Sequence, residues 1–324
     1  MMKLTSTSPV FIPPAIAPVP EGAPRPRWSV MIPTFNCAKY LRQTLESVLA
    51  QDPGPEQMQI EVVDDCSTKD DPEAVVRERG KGRVAFFRKP RNEGAIPNFN
   101  TCIQRSRGHL VHILHGDDYV LGGFYERIGA MAARQPDVAL IASRSFVVDE
   151  GNVITGITNR LREMEGGTRS LDSFFYGTPI QPPGIVVQRS FYETHGGFLL
   201  ELIHTADCEM WARAVELGRG VATPEVLACY RTFAANDSGR LARTAENLRD
   251  MERLNRLFAA RYSGFDCRRA AQRVSLIALV QAERFDQNGD AEAAQANWDY
   301  WKQSTPARQR WRRLAGQLVR NILI

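Results

Sequence analysis

Short apolar runs that alternate with segments of helical periodicity limit the fold of this chain more than any other feature. The apolar runs lie at residues 28–32, 60–63, 83–87 and 110–114. The segments between them carry apolar residues at helical intervals, beginning with residues 38–50. A repeated strand and helix order of this kind predicts an α/β fold with a mostly parallel sheet and helices on both of its faces.

Polar residues follow three of these apolar runs. They are Thr34 with Asn36, Asp64 with Asp65, and Asp117 with Asp118. The carboxyl ends of parallel strands lie at one edge of a sheet, and ligands bind there in such folds. We therefore expect the three polar corners to share one crevice. Independent surface turns would have the same residues, so the alternative that the three corners are unrelated turns stays open at this point.

The adjacent carboxylates of Asp117 and Asp118 are the most informative of these pairs. They follow Gly116 and the buried-strand pattern of residues 110–114. Burying an unpaired carboxylate costs several kcal/mol, so two of them side by side are poor core residues. The pair is therefore either a solvated turn or a site for a hard divalent cation.

The pattern changes after residue 138. Residues 138–142 and 146–148 predict strands, and Glu150-Gly151-Asn152 predicts a hairpin turn before residues 153–154, so we expect the sheet to become mixed there. Residues 156–172 are polar and contain glycine, which fits a mobile loop over the crevice.

The composition of the chain predicts three regions. Residues 1–26 contain seven prolines and predict an extended, mostly disordered leader. Residues 27–240 carry the strand and helix alternation, and residues 241–324 predict a helical appendage. Within that appendage, residues 311–324 place their apolar residues on one helical face and arginines elsewhere. They predict either a packing helix or a helix that lies on an anionic membrane surface.

Charge and cysteine content point away from several classes of protein. The net charge of +4 over 324 residues is too small to indicate nucleic-acid binding. The six cysteines show no zinc-type spacing and favour free thiols in a reducing cytoplasm. No apolar stretch approaches the roughly 20 residues needed to span a bilayer.

The glycine patterns of two common nucleotide-binding classes are missing from the sequence. No GxGxxG follows the first strand, and no GxxxxGK[ST] occurs anywhere. This argues against a dinucleotide oxidoreductase and a P-loop nucleotide hydrolase. Carboxylates at a sheet edge suit instead a nucleoside diphosphate that is held through a divalent metal.

Several motifs in this order resemble the family 2 glycosyltransferases, whose nucleotide-binding domain has the GT-A fold. The motifs are Val30-Met31-Ile32-Pro33-Thr34-Phe35-Asn36, Val62-Val63-Asp64-Asp65-Cys66-Ser67-Thr68, Asn92-Glu93-Gly94 with Asn98 and Asn100, His115-Gly116-Asp117-Asp118, and Gly196-Gly197-Phe198 followed by Ala206-Asp207. The resemblance covers roughly residues 28–240. It implies a GT-A-like sheet flanked by helices.

The resemblance also implies roles for individual residues. Asp118 would be the principal protein ligand to Mn²⁺ or Mg²⁺, and Asp207 would be the catalytic base. The nucleotide-sugar donor would be bound by Pro33, Thr34, Phe35, Asn36, Asp65, Asn92, Gly94, Asn98, His115, Gly116 and Asp117. Among these, Asp65 and the backbone near Pro33 and Phe35 would hold the nucleotide base of the donor, and Asp117 would contact its ribose or diphosphate.

The implied function is an inverting transfer of a sugar, most often from a UDP-sugar, to a saccharide or lipid-linked glycan in cell-surface polysaccharide synthesis. Such an enzyme would work in the cytoplasm or at the inner face of the membrane. Two residues depart from the family pattern, namely His115 where aspartate is frequent and Ala206 where glutamate is common. These departures keep open the alternative of a glycan- or nucleotide-binding protein without catalysis. A sugar-phosphate nucleotidyltransferase on a related sheet is another alternative, which would call for a Gly-rich, basic loop where this chain has Pro33-Thr34-Phe35-Asn36. Asp207 could also serve only to cap its helix.

Overall fold

The computed structural model describes residues 11–177, 179–233 and 236–307. The chain divides into two compact units. The first comprises residues 11–201 and 206–233, and the second comprises residues 202–205 and the chain from residue 234 on. The sequence motifs described above all lie in the first unit.

The first unit contains nine strands and seven helices in its described part. The strands are β1 Trp28–Thr34, β2 Met58–Asp64, β3 Ala85–Arg88, β4 Leu110–Ile113, β5 Tyr119–Val120, β6 Leu140–Val148, β7 Ile154–Ile157, β8 Ile185–Gln188 and β9 Gly220–Arg231. The helices are α1 Ala38–Leu49, α2 Pro72–Gly80, α3 Ala95–Arg105, α4 Phe124–Arg134, α5 Arg162–Glu165, α6 Arg189–His195 and α7 Ala206–Gly218.

The strands form one mixed sheet in the order β3-β2-β1-β4-β8-β6-β9-β5, and β7 pairs with β6. β1 runs parallel to β2 and β4, whereas β8 lies antiparallel between β4 and β6. The predicted hairpin is present, because β6 and β7 pair in antiparallel orientation. The prediction of a mostly parallel sheet that becomes mixed after residue 138 is therefore confirmed.

The core of the first unit lies between the central strands and the helices that follow them. Every residue of β1 and β2 is buried. Helix α1 contributes Leu41, Leu45 and Val48 to the core, which is the apolar face that its sequence spacing predicts. Strands of a sheet that is covered on both faces are buried along their whole length, as β1 and β2 are.

Buried His112 on β4 is part of this core rather than of the crevice. Its Nε2–H donates to the carbonyl oxygen of Pro183 at 3.1 Å, and its Nδ1 lies 3.2 Å from the Tyr125 hydroxyl. Its ring stacks on Phe124. Burial lowers the pKa of His112 from 6.5 to about 3, so the imidazole is neutral near pH 7.

His112 is expected to make the fold sensitive to acid. Below about pH 6.5 the unfolded chain binds a proton at this histidine and the folded chain does not, so stability falls by about 1.4 kcal/mol per pH unit until about pH 3. Between pH 7 and pH 5 the wild type should therefore lose about 2 kcal/mol more than His112→Gln in urea unfolding. His109→Gln, which changes an exposed histidine, should keep the wild-type pH dependence. Equal pH dependence of wild type and His112→Gln would contradict this assignment.

The proline-rich segment of residues 11–26 contains no helix or strand. It nevertheless packs on the first unit, to which it belongs. Ile16 is buried, and the Gly197 amide donates to the Pro14 carbonyl at 2.8 Å. The Arg189 guanidinium donates to the Ala17 carbonyl at 3.2 Å. This part of the predicted leader is thus held against the Gly-Gly-Phe segment.

The second unit is helical, as predicted for the C-terminal region. Its helices are α8 Asp237–Arg243, α9 Glu246–Arg261, α10 Cys267–Gln287 and α11 Ala291–Ser304. A small core contains Leu248, Val274, Leu279, Tyr300 and Trp301. In this unit the buried Asp250 carboxylate accepts the backbone N–H groups of residues 203–205. The predicted amphipathic segment at 311–324 lies outside the described residues.

None of the helices that the structure describes has both the length and the apolar character of a membrane span.

Candidate functional site

The turns that follow β1, β2 and β4 lie side by side. In the parallel pairing, Thr34 at the end of β1 faces Asp64 at the end of β2. The Asp65 amide donates to the Thr34 carbonyl at 2.9 Å, and the Gly116 amide donates to the Pro33 carbonyl at 3.0 Å. The expectation that the three polar corners share one edge is therefore met.

Asn36 links the turn after β1 to the turn after β2 by hydrogen bonds. It has a left-handed backbone, with φ of 50°, which asparagine tolerates better than most residues. Its side-chain Oδ1 accepts the N–H groups of Thr68 and Lys69, both at 2.9 Å. The neighbouring Phe35 ring is 45% exposed at this edge. The turn thus presents an apolar ring on a fixed backbone.

The buried Asp65 carboxylate organises the loop that contains Asn92 and Gly94. It accepts the backbone N–H groups of Glu93 at 3.1 Å and Gly94 at 2.7 Å. It also pairs with the buried Lys89 ammonium at 3.0 Å. Asp65 therefore faces this loop through both of its oxygens, and Asn92 remains exposed at the surface of the loop.

The two asparagines of α3 connect this loop to other motifs. Asn98 donates to the Val63 carbonyl on β2 at 2.9 Å, and its buried Oδ1 has no hydrogen-bond partner among the described residues. Asn100 makes two hydrogen bonds with the backbone of Phe198, one as donor and one as acceptor. A Cβ atom at Gly197 would lie 2.2 Å from the Asn100 Oδ1, which explains the glycine at that position.

Gly116 brings the acidic motif close to the first turn. A Cβ atom at this position would lie 2.9 Å from the Cys37 sulfur and 3.1 Å from the Thr34 hydroxyl. The Thr44 hydroxyl lies 3.0 Å from the Gly116 carbonyl oxygen and 2.7 Å from that of Asp118. The backbone of the motif is therefore held by α1 and by the turn after β1.

Three possible metal ligands meet in this motif. One side-chain atom from each of His115, Asp117 and Asp118 lies within 4.8 Å of the other two. Oδ1 of Asp118 accepts the Arg231 backbone N–H at 2.8 Å. Oδ2 of Asp118 is buried and has no hydrogen-bond partner among the described residues, and His115 Nδ1 lies 3.9 Å from it.

The electrostatics of this cluster favour a cation. Burial raises the pKa of Asp117 to about 6. Burial and the neighbouring Asp117 raise the pKa of Asp118 well above its usual range. Ionising both carboxylates is thus costly without a positive charge between them. Two carboxylates and an imidazole suit Mn²⁺, and the unpaired Asp118 Oδ2 offers a ready ligand atom.

Asp207 lies in the first turn of α7 and is half-buried. Its Oδ1 accepts the N–H of Cys208 at 2.7 Å, so the carboxylate does satisfy an amide at the helix start. It is not one of the three clustered ligands. This contact does not exclude a second role, because a carboxylate can accept several hydrogen bonds.

Aromatic contacts link the acidic motif to α7. His115 stacks on Phe99 at 4.8 Å between ring centroids. Phe99 contacts Phe198 at 5.6 Å, and Phe198 contacts Trp211 of α7 at 5.7 Å. The buried Arg213 fixes α7 further, because it pairs with Glu209 and donates to the Gly197 carbonyl at 2.8 Å. The motif, the asparagine segment and the helix of Asp207 are thus packed together.

Arg231 is a site residue whose contacts the sequence did not reveal. It ends β9 and is 1% exposed. It is therefore not a solvated surface side chain. Its Nε donates to the Asp117 carbonyl at 2.8 Å. Its Nη2 donates to the side chains of Gln43 and Asn152, which are distant in sequence.

The family can now be assigned. A family model described as "Glycosyl transferase family 2" matches residues 29–196, just over half of the chain. The chain belongs to this family. It is therefore a glycosyltransferase, and the resemblance seen in the sequence motifs is confirmed.

Two curated relatives illustrate how far the likeness extends. An uncharacterized protein of Mycobacterium tuberculosis is 26% identical over 242 residues, which are 71% of this chain and 75% of that protein. Poly(ribitol-phosphate) beta-N-acetylglucosaminyltransferase TarS of Staphylococcus aureus is 30% identical over 95 residues. That sequence match covers 29% of this chain and 17% of TarS.

Solved structures agree in fold. TarS 1-349 in complex with UDP-GlcNAc superposes with a TM-score of 0.52 at 16% identity, covering 87% of this chain and 93% of that one. Mannosyltransferase PcManGT from Pyrobaculum calidifontis, in complex with GDP-Man and Mn²⁺, gives 0.55 at 18% identity, covering 95% and 83%. At these identities the likeness shows the fold alone. The predicted GT-A-like fold is confirmed.

Proposed function

We propose that this family 2 glycosyltransferase is metal-dependent and inverts the configuration of the sugar that it transfers. Its donor would be a nucleotide sugar, and its acceptor a saccharide or a lipid-linked glycan. One observation carries the proposal, namely the cluster of His115, Asp117 and Asp118 at the strand ends, in which the buried Oδ2 of Asp118 has no hydrogen-bond partner in the part of the chain that the structure describes.

We assign the metal to this cluster. Asp118 would be the principal ligand to Mn²⁺ or Mg²⁺, with Asp117 and His115 beside it. When bound, the cation would neutralise the charge that develops on the departing diphosphate. The Mn²⁺ in the complex of PcManGT supports this assignment by likeness of fold.

The donor would bind along the edge formed by the first turn and the acidic motif. The exposed Phe35 ring and the backbone of residues 33–36 would contact the nucleotide base of the donor. The hydrogen bonds of Asn36 hold this turn in place. Asp65 would act here through the loop that it holds, which presents Asn92 and Gly94. Asn98 would contribute its unpaired Oδ1, and Gly116 would allow close approach.

Asp207 would be the base of the reaction. Its carboxylate would take the proton of the acceptor hydroxyl while the acceptor oxygen bonds to the anomeric carbon of the donor. The bond from that carbon to the donor phosphate oxygen breaks in the same step. The products are a glycoside of inverted configuration and a nucleoside diphosphate.

A UDP-sugar is the first donor to test, because TarS binds UDP-GlcNAc. A GDP-sugar is the second, because PcManGT binds GDP-Man. The named function of TarS is transfer to a poly(ribitol-phosphate), which supports an acceptor in cell-surface polysaccharide synthesis. We further propose a cytoplasmic location, since all six cysteines are free thiols. Peripheral contact with the inner membrane surface rests on the sequence of residues 311–324 alone.

The proposal is tested by incubating the protein with UDP-, GDP- and dTDP-sugars, Mn²⁺ and a mixture of glycan acceptors. We expect release of a nucleoside diphosphate from one donor class, and loss of this release when EDTA removes the metal. Release of pyrophosphate from an added nucleoside triphosphate and sugar 1-phosphate instead would indicate a nucleotidyltransferase. Donor binding without turnover would indicate a binding protein, and either result would overturn the proposal.

A further inference from the structure

The Arg231 side chain connects three segments that are far apart in sequence. Its Nε donates to the carbonyl oxygen of Asp117 at 2.8 Å. Its Nη2 donates to Gln43 Oε1 of α1 at 2.7 Å and to Asn152 Oδ1 of the β6–β7 turn at 2.9 Å. Its Nη1 donates to the carbonyl oxygens of Asp149 at 3.1 Å and Glu150 at 3.4 Å in the same turn.

These bonds use the whole hydrogen-bonding capacity of the guanidinium, which has five N–H groups and no acceptor. The rings of Tyr40 and Tyr119 lie 4.8 and 5.6 Å from its central carbon. With 1% of the residue exposed, the guanidinium has no N–H left for a phosphate. A direct contact with the donor diphosphate would require several of these bonds to break.

The same residue also holds the proposed metal ligand through its backbone. Its N–H donates to Oδ1 of Asp118 at 2.8 Å. This bond fixes one carboxylate oxygen and leaves Oδ2 as the oxygen without a hydrogen bond. The position of that N–H depends on the end of β9, which the side-chain bonds of Arg231 tie to α1 and to the β6–β7 turn.

We infer that Arg231 is a positioning residue, which fixes the Asp117–Asp118 loop and the orientation of the Asp118 carboxylate without touching the donor. This inference rests on the proposed function, since it concerns the metal site proposed there. Partners that orient a metal ligand typically change metal affinity about 10- to 100-fold when they are removed. Lysine keeps the charge of arginine but cannot span separate acceptors with a planar fork.

The test is the affinity for Mn²⁺ alone, measured from the electron paramagnetic resonance signal of the free ion. Arg231→Lys should bind Mn²⁺ about 10- to 100-fold more weakly than the wild type. Asn152→Gly removes one remote partner of Arg231, and glycine accepts the left-handed backbone of residue 152, where φ is 67°. It should weaken Mn²⁺ binding by a smaller factor, about threefold or more.

A double variant tests whether Asn152 affects Mn²⁺ binding through Arg231. If Asn152 acts through Arg231, then Arg231→Lys with Asn152→Gly should bind Mn²⁺ no more weakly than Arg231→Lys alone. Arg83→Lys is the matched control, because the Arg83 guanidinium also hydrogen-bonds to separate acceptors, the Asp52 carboxylate and the Met58 carbonyl. It should keep the wild-type affinity for Mn²⁺.

The outcomes separate this inference from the proposed function. Wild-type affinity in Arg231→Lys would overturn the inference and leave the metal site standing. A wild type that binds no Mn²⁺ would overturn both. Unchanged binding by Asn152→Gly would show that the network does not position the loop. If Arg231→Lys does not fold, the comparison of Asn152→Gly with the wild type still decides, because residue 152 is exposed.

Discussion

Asp118→Ala should lower kcat/KM for nucleotide-sugar turnover by at least about 10³-fold, because a metal at a leaving group contributes several kcal/mol and each 1.36 kcal/mol is tenfold in rate. One carboxylate oxygen of Asp118 is buried and accepts no hydrogen bond from a described residue. Without that ligand, Mn²⁺ should no longer enhance donor binding. Nucleoside diphosphate release measures the rate, and calorimetric titration of the donor with and without Mn²⁺ measures the binding.

Two further variants sharpen this prediction. Asp118→Asn keeps an oxygen for the Arg231 N–H and removes the charge, so it should fold normally and still lose most of the metal effect. Asp137→Ala changes an aspartate whose side chain is 60% exposed and paired with Arg219, and it should behave like the wild type. Metal-stimulated turnover of Asp118→Ala within tenfold of the wild type would rule out Asp118 as the principal ligand.

Much of the fold around Asp118 could be predicted from sequence because its determinants are local. The apolar runs of β1, β2 and β4 and the helical spacing of α1 are visible in short windows. Once these strands are parallel neighbours, the edge at which Thr34, Asp64 and the acidic motif meet follows from geometry alone. Local pattern and topology therefore sufficed to predict that these polar corners lie at one edge of the sheet.

The insertion of β8 between β4 and β6 could not be predicted in the same way. The segment before it contains Pro182, Pro183 and Gly184, which form a short 3-10 turn with no periodicity to interpret. Its pairing with β4 and β6 depends on packing between residues that are far apart in sequence. Short-window patterns carry no information about such pairings.

The direction in which a polar side chain points could not be predicted from the sequence either. Sequence placed Asp65 at a strand end but could not show that both of its oxygens face the loop at residues 93–94. Arg231 is bonded to Gln43 and Asn152, which are 188 and 79 residues away. No spacing rule connects such residues, so the contacts of this arginine are visible only in the tertiary structure.

Asp207→Asn is expected to separate catalysis from binding. Asparagine can still accept the N–H of Cys208 through its side-chain oxygen, so the first turn of α7 should be kept. It cannot take a proton from the acceptor hydroxyl. Since a general base contributes about 10²- to 10⁴-fold, kcat should fall by that factor while the affinity for the donor with Mn²⁺ stays within about threefold.

The matched control is Asp71→Asn, which makes the same change at another helix start in the same unit. Asp71 accepts the Ala74 N–H at 3.1 Å, and asparagine caps a helix about as well as aspartate. This variant should therefore keep both kcat and donor affinity. If Asp207→Asn also turned over normally, the carboxylate would serve only the start of α7. If it lost donor affinity instead of kcat, Asp207 would belong to the donor site, and the base would have to be sought elsewhere.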